Sequence, residues 1–301
     1  MNIPQTTALT VVENMPLGEI IKLIDWRMYL VTWDFRTEEN RKSVEAEELL
    51  NDSRKLLNRV IEENLLSVDA VVRILPAATV DYDDIILYQD EKRDAIFQQL
   101  PMLRRQIPML GQCPSLADFI TPADSEATVP GVDDYMGFFA VTAGKKVEES
   151  IRIFPDHDLY SPLLLKSLAD RLAEAGAEYI HKKVRREIWA YEKSDDLSVD
   201  EILKEKYQGI RPAPGYPCCP DHTGKRDIFN ILEAEKTIGI ELTESYMMQP
   251  AASVCGYIFA SAKSRYFPVG KIGDDQLESY ATRKNMSVDE LRRWLSVNVN
   301  D

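Results

Sequence analysis

Apolar residues recur at helical spacing in two long stretches. Between Val44 and Asn64, Leu49, Leu50, Leu56, Leu57, Val60 and Ile61 fall on one face, the pattern of an amphipathic helix. Between Pro162 and Tyr191, Leu165, Leu168, Leu172, Ala175, Tyr179 and Lys183 follow the same period. Pro162 suits a first helical turn with Ser161 as its N-cap. Lys182, Lys183, Arg185 and Arg186 crowd the last turns, where cations complement the helix dipole. Glu174 and Glu178 lie one turn apart on a neighbouring face, which spacing alone assigns to solvent. Gly18 to Phe35 predicts a short helix running into a buried segment. Asp25 stands among its apolar residues and must be paired, functional or capping the next turn.

Shorter runs rich in β-branched and aromatic residues predict strands at Val71–Leu75, Ile85–Tyr88, Leu116–Ile120 and Tyr135–Thr142. Pro76 to Asp84 reads as a turn-rich connection, Gln98 to Gln112 as polar, and the stretch before Tyr135 as an acidic, Pro/Gly-bearing loop. Further on, a helix over Ile228–Thr237 ends at Gly239. Leu242–Met248, Val254–Ala260 and Tyr266–Ile272 predict three strands, the last two joined through Ser261–Ser264 as an antiparallel hairpin. Asp274 can cap a helix ending near Asn285, and Ser287-Val288-Asp289-Glu290 is a capping box that opens a final helix through Trp294. Residues 1–16 read as an N-terminal tail and 17–301 as the folded unit. Strands followed by hairpins, with helices clustered rather than strictly alternating, predict an α+β fold on an antiparallel sheet.

Thirty-six basic against fifty acidic side chains give a net charge of −14 over 301 residues. Without a concentrated basic stripe, such a chain is a poor partner for nucleic acid or an anionic membrane. No apolar run is long enough to span a bilayer and no secretory leader is visible, so the expected location is cytoplasmic. The cysteines are at 113, 218, 219 and 255, and the histidines at 157, 181 and 222. Cys218 and Cys219 are adjacent and cannot form a CxxC clip, so reduced thiols and no metal centre are expected. GxGxxG, GxxxxGK[ST], GxSxG and HExxH are all absent, which removes support for the common nucleotide, hydrolase and metalloprotease readings.

The most unusual stretch is Arg211-Pro212-Ala213-Pro214-Gly215-Tyr216-Pro217. With Pro220 beyond it, neither a helix nor a central strand can pass through. Proline fixes φ and restricts its neighbour, so this backbone is stiff without being regular. It can hold an arginine fork and a tyrosine hydroxyl in place at low entropic penalty.

Extended from Tyr207 to Pro217, with Pro220-Asp221-His222-Thr223 after it, this stretch resembles the signature of the S-adenosylmethionine-binding activation domain of cobalamin-dependent methionine synthase. The likeness spreads to Ile24-Asp25-Trp26 with Thr32-Trp33, Leu168 to Ala175, Leu242 to Ser245, Ser264 to Phe267 and Asp275 to Ala281. It covers nearly the whole chain from Leu17 to Leu295. The resemblance implies a single C-shaped α+β domain with a twisted antiparallel sheet and flanking helices. By it, Arg211 grips the carboxylate of the methionine moiety, a task suited to a planar, permanently charged fork. Tyr216 adds a hydroxyl and a ring face, Gly215 lets backbone approach the ligand, and Ala213 belongs to the same ligand-facing set. Asp25 answers the ligand's cationic or hydroxyl-bearing side. Glu174 and Glu205 match acidic positions lining the site, where they favour a sulfonium charge. Tyr266 matches one member of an aromatic pair whose other member here is Phe267, where the family often carries a second tyrosine.

The implied chemistry is repair. Cob(II)alamin is reduced by a flavodoxin-type donor and trapped by methyl transfer from S-adenosylmethionine, with the cobalt held by a separate cobalamin-binding module. Such a domain needs no acid or base of its own, and no catalytic residue is expected. It is not a complete enzyme alone. The DxHxxG cobalamin signature is absent; Asp156-His157-Asp158-Leu159 lacks its glycine. Met1 and an N-terminal tail unlike an interdomain linker slightly favour a separately encoded subunit over an excised fragment. Two other readings stand beside this one: a small-molecule methyltransferase without a corrinoid partner, and a stand-alone S-adenosylmethionine-binding module. The cluster Lys182, Lys183, Arg185 and Arg186 suggests a docking patch for an acidic electron donor, though a dipole-complementing helix end explains it equally.

Overall fold

Runs that are apolar on both faces become the centre of a single sheet. The computed structural model describes residues 3–123, 134–193 and 197–299. In chain order the strands and α-helices are β1 (Thr10–Val12), α1 (Leu17–Ile20), α2 (Trp26–Thr32), α3 (Val44–Glu62), β2 (Asp69–Val80), β3 (Asp84–Tyr88), β4 (Ile96–Pro101) and β5 (Asp134–Thr142). They continue as α4 (Val147–Ile151), α5 (Tyr160–Lys183), α6 (Val199–Leu203), α7 (Gly224–Leu232), α8 (Ala234–Ile238), β6 (Glu241–Leu242), β7 (Met248–Gln249), β8 (Ser253–Ile258), α9 (Asp274–Lys284) and α10 (Val288–Trp294). The main sheet runs β4-β3-β2-β5-β8, antiparallel throughout, with β1 beside the first half of β2.

Alternation along the central strands feeds two cores. Val72, Ile74, Phe139 and Val141 face Leu56, Leu57, Leu168 and Leu172 of α3 and α5. Val71, Leu75, Phe138 and Ala140 face Ile228, Ile231, Leu277 and Leu291 on the other side. The sheet is therefore covered by helices on both faces, and β5 is buried along its whole length, which is why its sequence reads as a continuous apolar run. Each fully buried large apolar side chain contributes about 1.5–3 kcal/mol, so these two layers supply the main cohesion of the domain. The α+β fold with an antiparallel sheet is as the sequence predicts.

Several local expectations are corrected. The N-terminal stretch is not all tail: Val11 pairs with Val71, and Met15 is buried, because Thr10-Val11-Val12 is a β-forming run beside an open edge of β2. β2 runs through Pro76 to Val80; Pro76 sits in the gap between the segments paired with β1 and β3, where a missing N–H is tolerated. β4 lies inside the region read as polar, since an edge strand needs only alternate burial. Leu116–Phe119 is a 3₁₀ turn, because Ser115 and Asp118 form a reciprocal capping box. The loop expected before Tyr135 lies largely outside the described residues. α5 begins at Tyr160, two residues early, because the Asp158 carboxylate accepts from the N–H groups of Tyr160 (3.1 Å) and Ser161 (2.9 Å). The predicted helix over Ile228–Thr237 divides at Glu233, whose φ is 48°, and Gly239 does cap its second part. The predicted 254–260/266–272 hairpin does not form. Pro268 and a left-handed Gly270 interrupt the second run, which bonds elsewhere instead: Val269 N–H donates to Pro217 O at 2.8 Å. Among the described residues, no helix is long and apolar enough to cross a membrane.

Candidate functional site

The Arg211–Pro217 stretch is laid along the outer edge of β8. Ile210 and Phe259 exchange both backbone hydrogen bonds at 3.0 Å, and Tyr257 N–H donates to Pro212 O at 2.9 Å. Beyond Pro212 the chain turns: Tyr216 N–H donates to Ala213 O (3.2 Å), Cys219 N–H to Tyr216 O (2.9 Å) and Gly215 N–H to Cys219 O (2.7 Å). Gly215 makes that turn possible. Its φ is 100°, and a Cβ there would run into the His222 ring. Beside His222 in sequence is Asp221, a buried carboxylate that accepts from Thr223 N (2.8 Å), Tyr280 Oη (2.9 Å) and Lys284 Nζ (3.0 Å). Burial works against the Asp221 charge, but Lys284 and Thr223 outweigh it and keep the carboxyl below its ordinary range.

A cleft of about 850 Å³ opens over this stretch. That is within the usual size of a small-molecule site. One wall comes from α5 through Glu174 and Ala177, another from Glu205 just beyond α6, and the far wall from Met248, Val254 and Cys255. Arg211, Ala213, Gly215, Tyr216, Tyr266 and Phe267 all line it, so the structure gathers eight of the nine residues singled out from sequence. Tyr216 keeps 60% of its surface exposed and Tyr266 39%, so two aromatic faces are available in the opening. Burial and the nearby Glu174 carboxylate both push the Tyr216 phenol up; for Tyr266 burial raises it, Arg211 opposes and Glu205 adds to the rise. The acidic groups thus lie within electrostatic reach of the two rings.

Two sequence-predicted residues have additional or different placements. Phe267 is buried against Phe119, ring centroids 6.2 Å apart, so it reaches the cleft from the core. A phenylalanine suits that position because a hydroxyl buried there would need a partner. Asp25 is outside the cleft lining. Its carboxylate accepts from Met28 N at 2.9 Å and caps α2, the capping role that the sequence left open to it.

Arg211 is more deeply held than a surface-lining arginine. Its guanidinium faces Glu178 with both terminal nitrogens: Nη1 donates to Oε2 at 3.0 Å and Nη2 to Oε1. Nη1 also donates to the Tyr207 hydroxyl and lies 3.5 Å from His181 Nδ1. The backbone N–H of Arg211 donates to Tyr266 Oη at 3.1 Å. A guanidinium carries five N–H donors. Glu178, Tyr207 and His181 engage the terminal nitrogens, and Nε has no partner among the described residues. Burial disfavours charge on both members of the pair. For Glu178 it wins and the carboxyl is raised; for Arg211 the carboxylate beside it prevails and the guanidinium stays charged.

Behind this pair lies a buried polar cluster that spacing did not disclose. His181 Nε2 meets Tyr191 Oη at 3.0 Å, and Arg185 stacks 4.0 Å over the Tyr207 ring while pairing with Glu192 at 3.0 Å. One hydrogen bond thus joins the His181 ring to the Tyr191 hydroxyl, and the tautomer of the ring decides which of the two donates. Glu178 is therefore not on a solvated helix side. The available signal was its position between Ala175, Ala177 and His181, on a stripe too small-residued to be a solvent face. The basic cluster also dissolves: Arg185 is fully buried, and Lys183 pairs with Glu187 at 2.9 Å. The sequence-based docking patch loses its centre.

His181 yields a pH prediction. Burial, then the charges of Arg211 and Arg185, hold its pKa well below the ordinary 6.5. The unfolded chain binds a proton below pH 6.5 that the folded one refuses, so this residue's stabilisation is complete above that pH and declines beneath it. The slope approaches about 1.4 kcal/mol per pH unit until the folded-state pKa is reached. Melting curves from pH 7 to pH 5 are expected to fall more steeply for the wild type than for His181→Gln. Parallel curves would show that His181 carries no proton linkage.

Lys225, His222, Cys218 and Cys255 also line the cleft and were not anticipated as site residues. Burial pushes the Cys218 thiol up to about 11 and the Cys255 thiol to about 12, so neither is a thiolate nucleophile at neutral pH. Among the described residues no group of three or more His, Cys, Asp or Glu could hold a metal ion.

Comparison with known proteins agrees with this geometry. The family model described as vitamin B12 dependent methionine synthase, activation domain, matches residues 16–285. A solved structure, described as the MetH reactivation domain bound to AdoHcy, is 40% identical with a TM-score of 0.90. The match covers all of this chain and 93% of that one.

Proposed function

The chain belongs to the family of vitamin B12-dependent methionine synthase activation domains, and from that premise we propose that its cleft binds S-adenosylmethionine and presents it for reductive remethylation of cob(II)alamin. The observation that carries this reading is the cleft over Arg211–Pro217, formed by residues of the family signature in a chain 40% identical to a domain solved with AdoHcy. Arg211 offers its unpartnered Nε to the ligand's carboxylate. Glu174 and Glu205 place negative charge where a sulfonium is favoured. Tyr216 and Tyr266 supply ring faces, and Gly215 and Ala213 let the strap's backbone approach. Asp25 contributes to the ligand's cationic side only if the carboxylate oxygen left by Met28 turns toward it. When bound, S-adenosylmethionine would supply an electrophilic methyl group, and the reduced cobalamin whose cobalt would accept it belongs to a cobalamin-binding module.

The protein's own contribution is orientation. No side chain here has to move a proton in methyl transfer, so fixing the donor against its acceptor is the main source of rate. A flavodoxin-type protein is the proposed electron donor and the cytoplasm the proposed location. The folded unit proposed for residues 17–301 is extended to β1 and Met15, which belong to the sheet and its core. A self-sufficient small-molecule methyltransferase is not favoured, since the chain has no Gly-rich nucleotide loop after a first strand.

Reconstitution tests the reading. The chain is mixed with a methionine synthase lacking this domain and loaded with cob(II)alamin, a reductant, and S-adenosylmethionine carrying a labelled methyl group. Labelled methylcobalamin is expected to form only when the chain is present. Formation at the same rate without it, or transfer by the chain to an acceptor in the absence of any corrinoid, would overturn the assignment.

A further inference from the structure

We propose that Glu178 is a positioning residue for the ligand's carboxylate, acting through Arg211. An arginine fork has two bidentate edges, the Nη1–Nη2 end and the Nε–Nη2 side. Glu178 occupies the first, receiving one hydrogen bond from each terminal nitrogen. It is itself fixed, since it is 7% exposed within the last third of α5, the longest helix among the described residues. The Tyr207 hydroxyl takes the other N–H of Nη1, and His181 Nδ1 lies 3.5 Å from the same nitrogen. The guanidinium plane is then set from behind, and the edge bearing the unpartnered Nε is the one left for a second carboxylate in the cleft that Arg211 lines.

The arrangement also explains why a buried carboxylate faces a binding arginine at all. A buried guanidinium without a partner would be strongly disfavoured, whereas one neutralised by Glu178 can be held rigidly at the wall. Tyr207 is in turn fixed by Arg185 stacked over its ring and His181 packed edge-on at 5.0 Å. Three side chains, Glu178, Tyr207 and His181, thus surround one fork and leave one edge open. A bidentate contact demands alignment, so freeing the plane weakens recognition of a carboxylate more than recognition of the nucleoside.

This inference rests on the proposed S-adenosylmethionine site, and its test separates the two. S-adenosylhomocysteine, which has the amino-acid carboxylate, and 5′-methylthioadenosine, which lacks it, are titrated calorimetrically into wild type, Glu178→Gln and Tyr207→Phe. For both variants the preference for S-adenosylhomocysteine over methylthioadenosine is expected to fall about tenfold, with methylthioadenosine binding within twofold of wild type. Equal loss of both ligands would mean that Glu178 only maintains the fold, and an unchanged preference would mean that it does not orient Arg211; either result overturns the inference. Tyr207→Phe removes one hydroxyl without touching the ion pair and decides the matter if Glu178→Gln does not fold. Failure of the wild type to bind either ligand would instead remove the site reading itself.

Discussion

Arg211→Ala is expected to destabilise the protein by about 3–5 kcal/mol, as well as to abolish capture of S-adenosylmethionine. The guanidinium is not a surface group that can be trimmed freely: 14% of its side chain is exposed, against 9% for Glu178. Alanine would leave the Glu178 carboxylate buried without its counter-charge, in a place where burial already raises its pKa. Part of the penalty can be relieved by protonating Glu178, so the loss should shrink as pH falls toward the carboxyl's raised pKa. Removing both partners separates the two roles. Arg211→Met with Glu178→Leu is expected to recover most of the stability, because volume-matched apolar replacement of a buried ion pair is commonly neutral or stabilising, yet to recover no binding. Denaturant midpoints and calorimetric titrations read both effects. If Arg211→Ala unfolded at the wild-type denaturant concentration, the buried pairing would be contradicted.

Gly215→Val should have the second largest effect, and on binding more than on folding. The residue stands at φ 100°, a region a β-branched side chain enters only under strain of order 1–3 kcal/mol. Its first added carbon would also strike the His222 ring, in a segment whose neighbouring Asp221 is bonded to Tyr280 and Lys284. The turn would have to open, breaking the 2.7 Å bond from Gly215 N–H to Cys219 O and displacing Tyr216. Affinity for S-adenosylmethionine is expected to fall at least tenfold with the melting temperature lowered only modestly, since the buried layers on either side of the sheet are untouched. Wild-type affinity in this variant would show that the strap's conformation does not govern the cleft.

Much of this protein is legible before its structure. Strong periodicity and explicit caps place α3 and the final helix: Ser43 and Ser287 each accept from a first-turn N–H. Strand β5 is equally plain, because burial on both faces confines its polar residues, Asp134 and Thr142, to the two ends of the run. What fails is local pattern without tertiary context. Tyr266–Ile272 has strand composition, yet its groups are spent on the strap, with Tyr266 Oη on Arg211 N and Val269 N on Pro217 O. Gln98 and Gln99 look too polar for a strand until the edge position of β4 explains them.

The site divides in the same way. Arg211, Gly215 and Tyr216 announce themselves through a proline-rich string with few structural uses. Glu178 does not, because a glutamate on a helix is ordinarily solvated and only the folded neighbours Arg211, Tyr207 and His181 make it otherwise. Asp25 shows the converse: an acid among apolar residues invited a binding role, while its observed hydrogen bond is a helix cap.

The most direct test is a calorimetric titration of S-adenosylmethionine into the purified wild-type chain, repeated with S-adenosylhomocysteine as competitor. Saturable binding of about one ligand per chain, displaced by the competitor and weakened at least tenfold in Gly215→Val, is the predicted result. Absence of saturable binding by the properly folded chain, or binding that Gly215→Val leaves unchanged, would contradict the placement of the methyl donor over Arg211–Pro217.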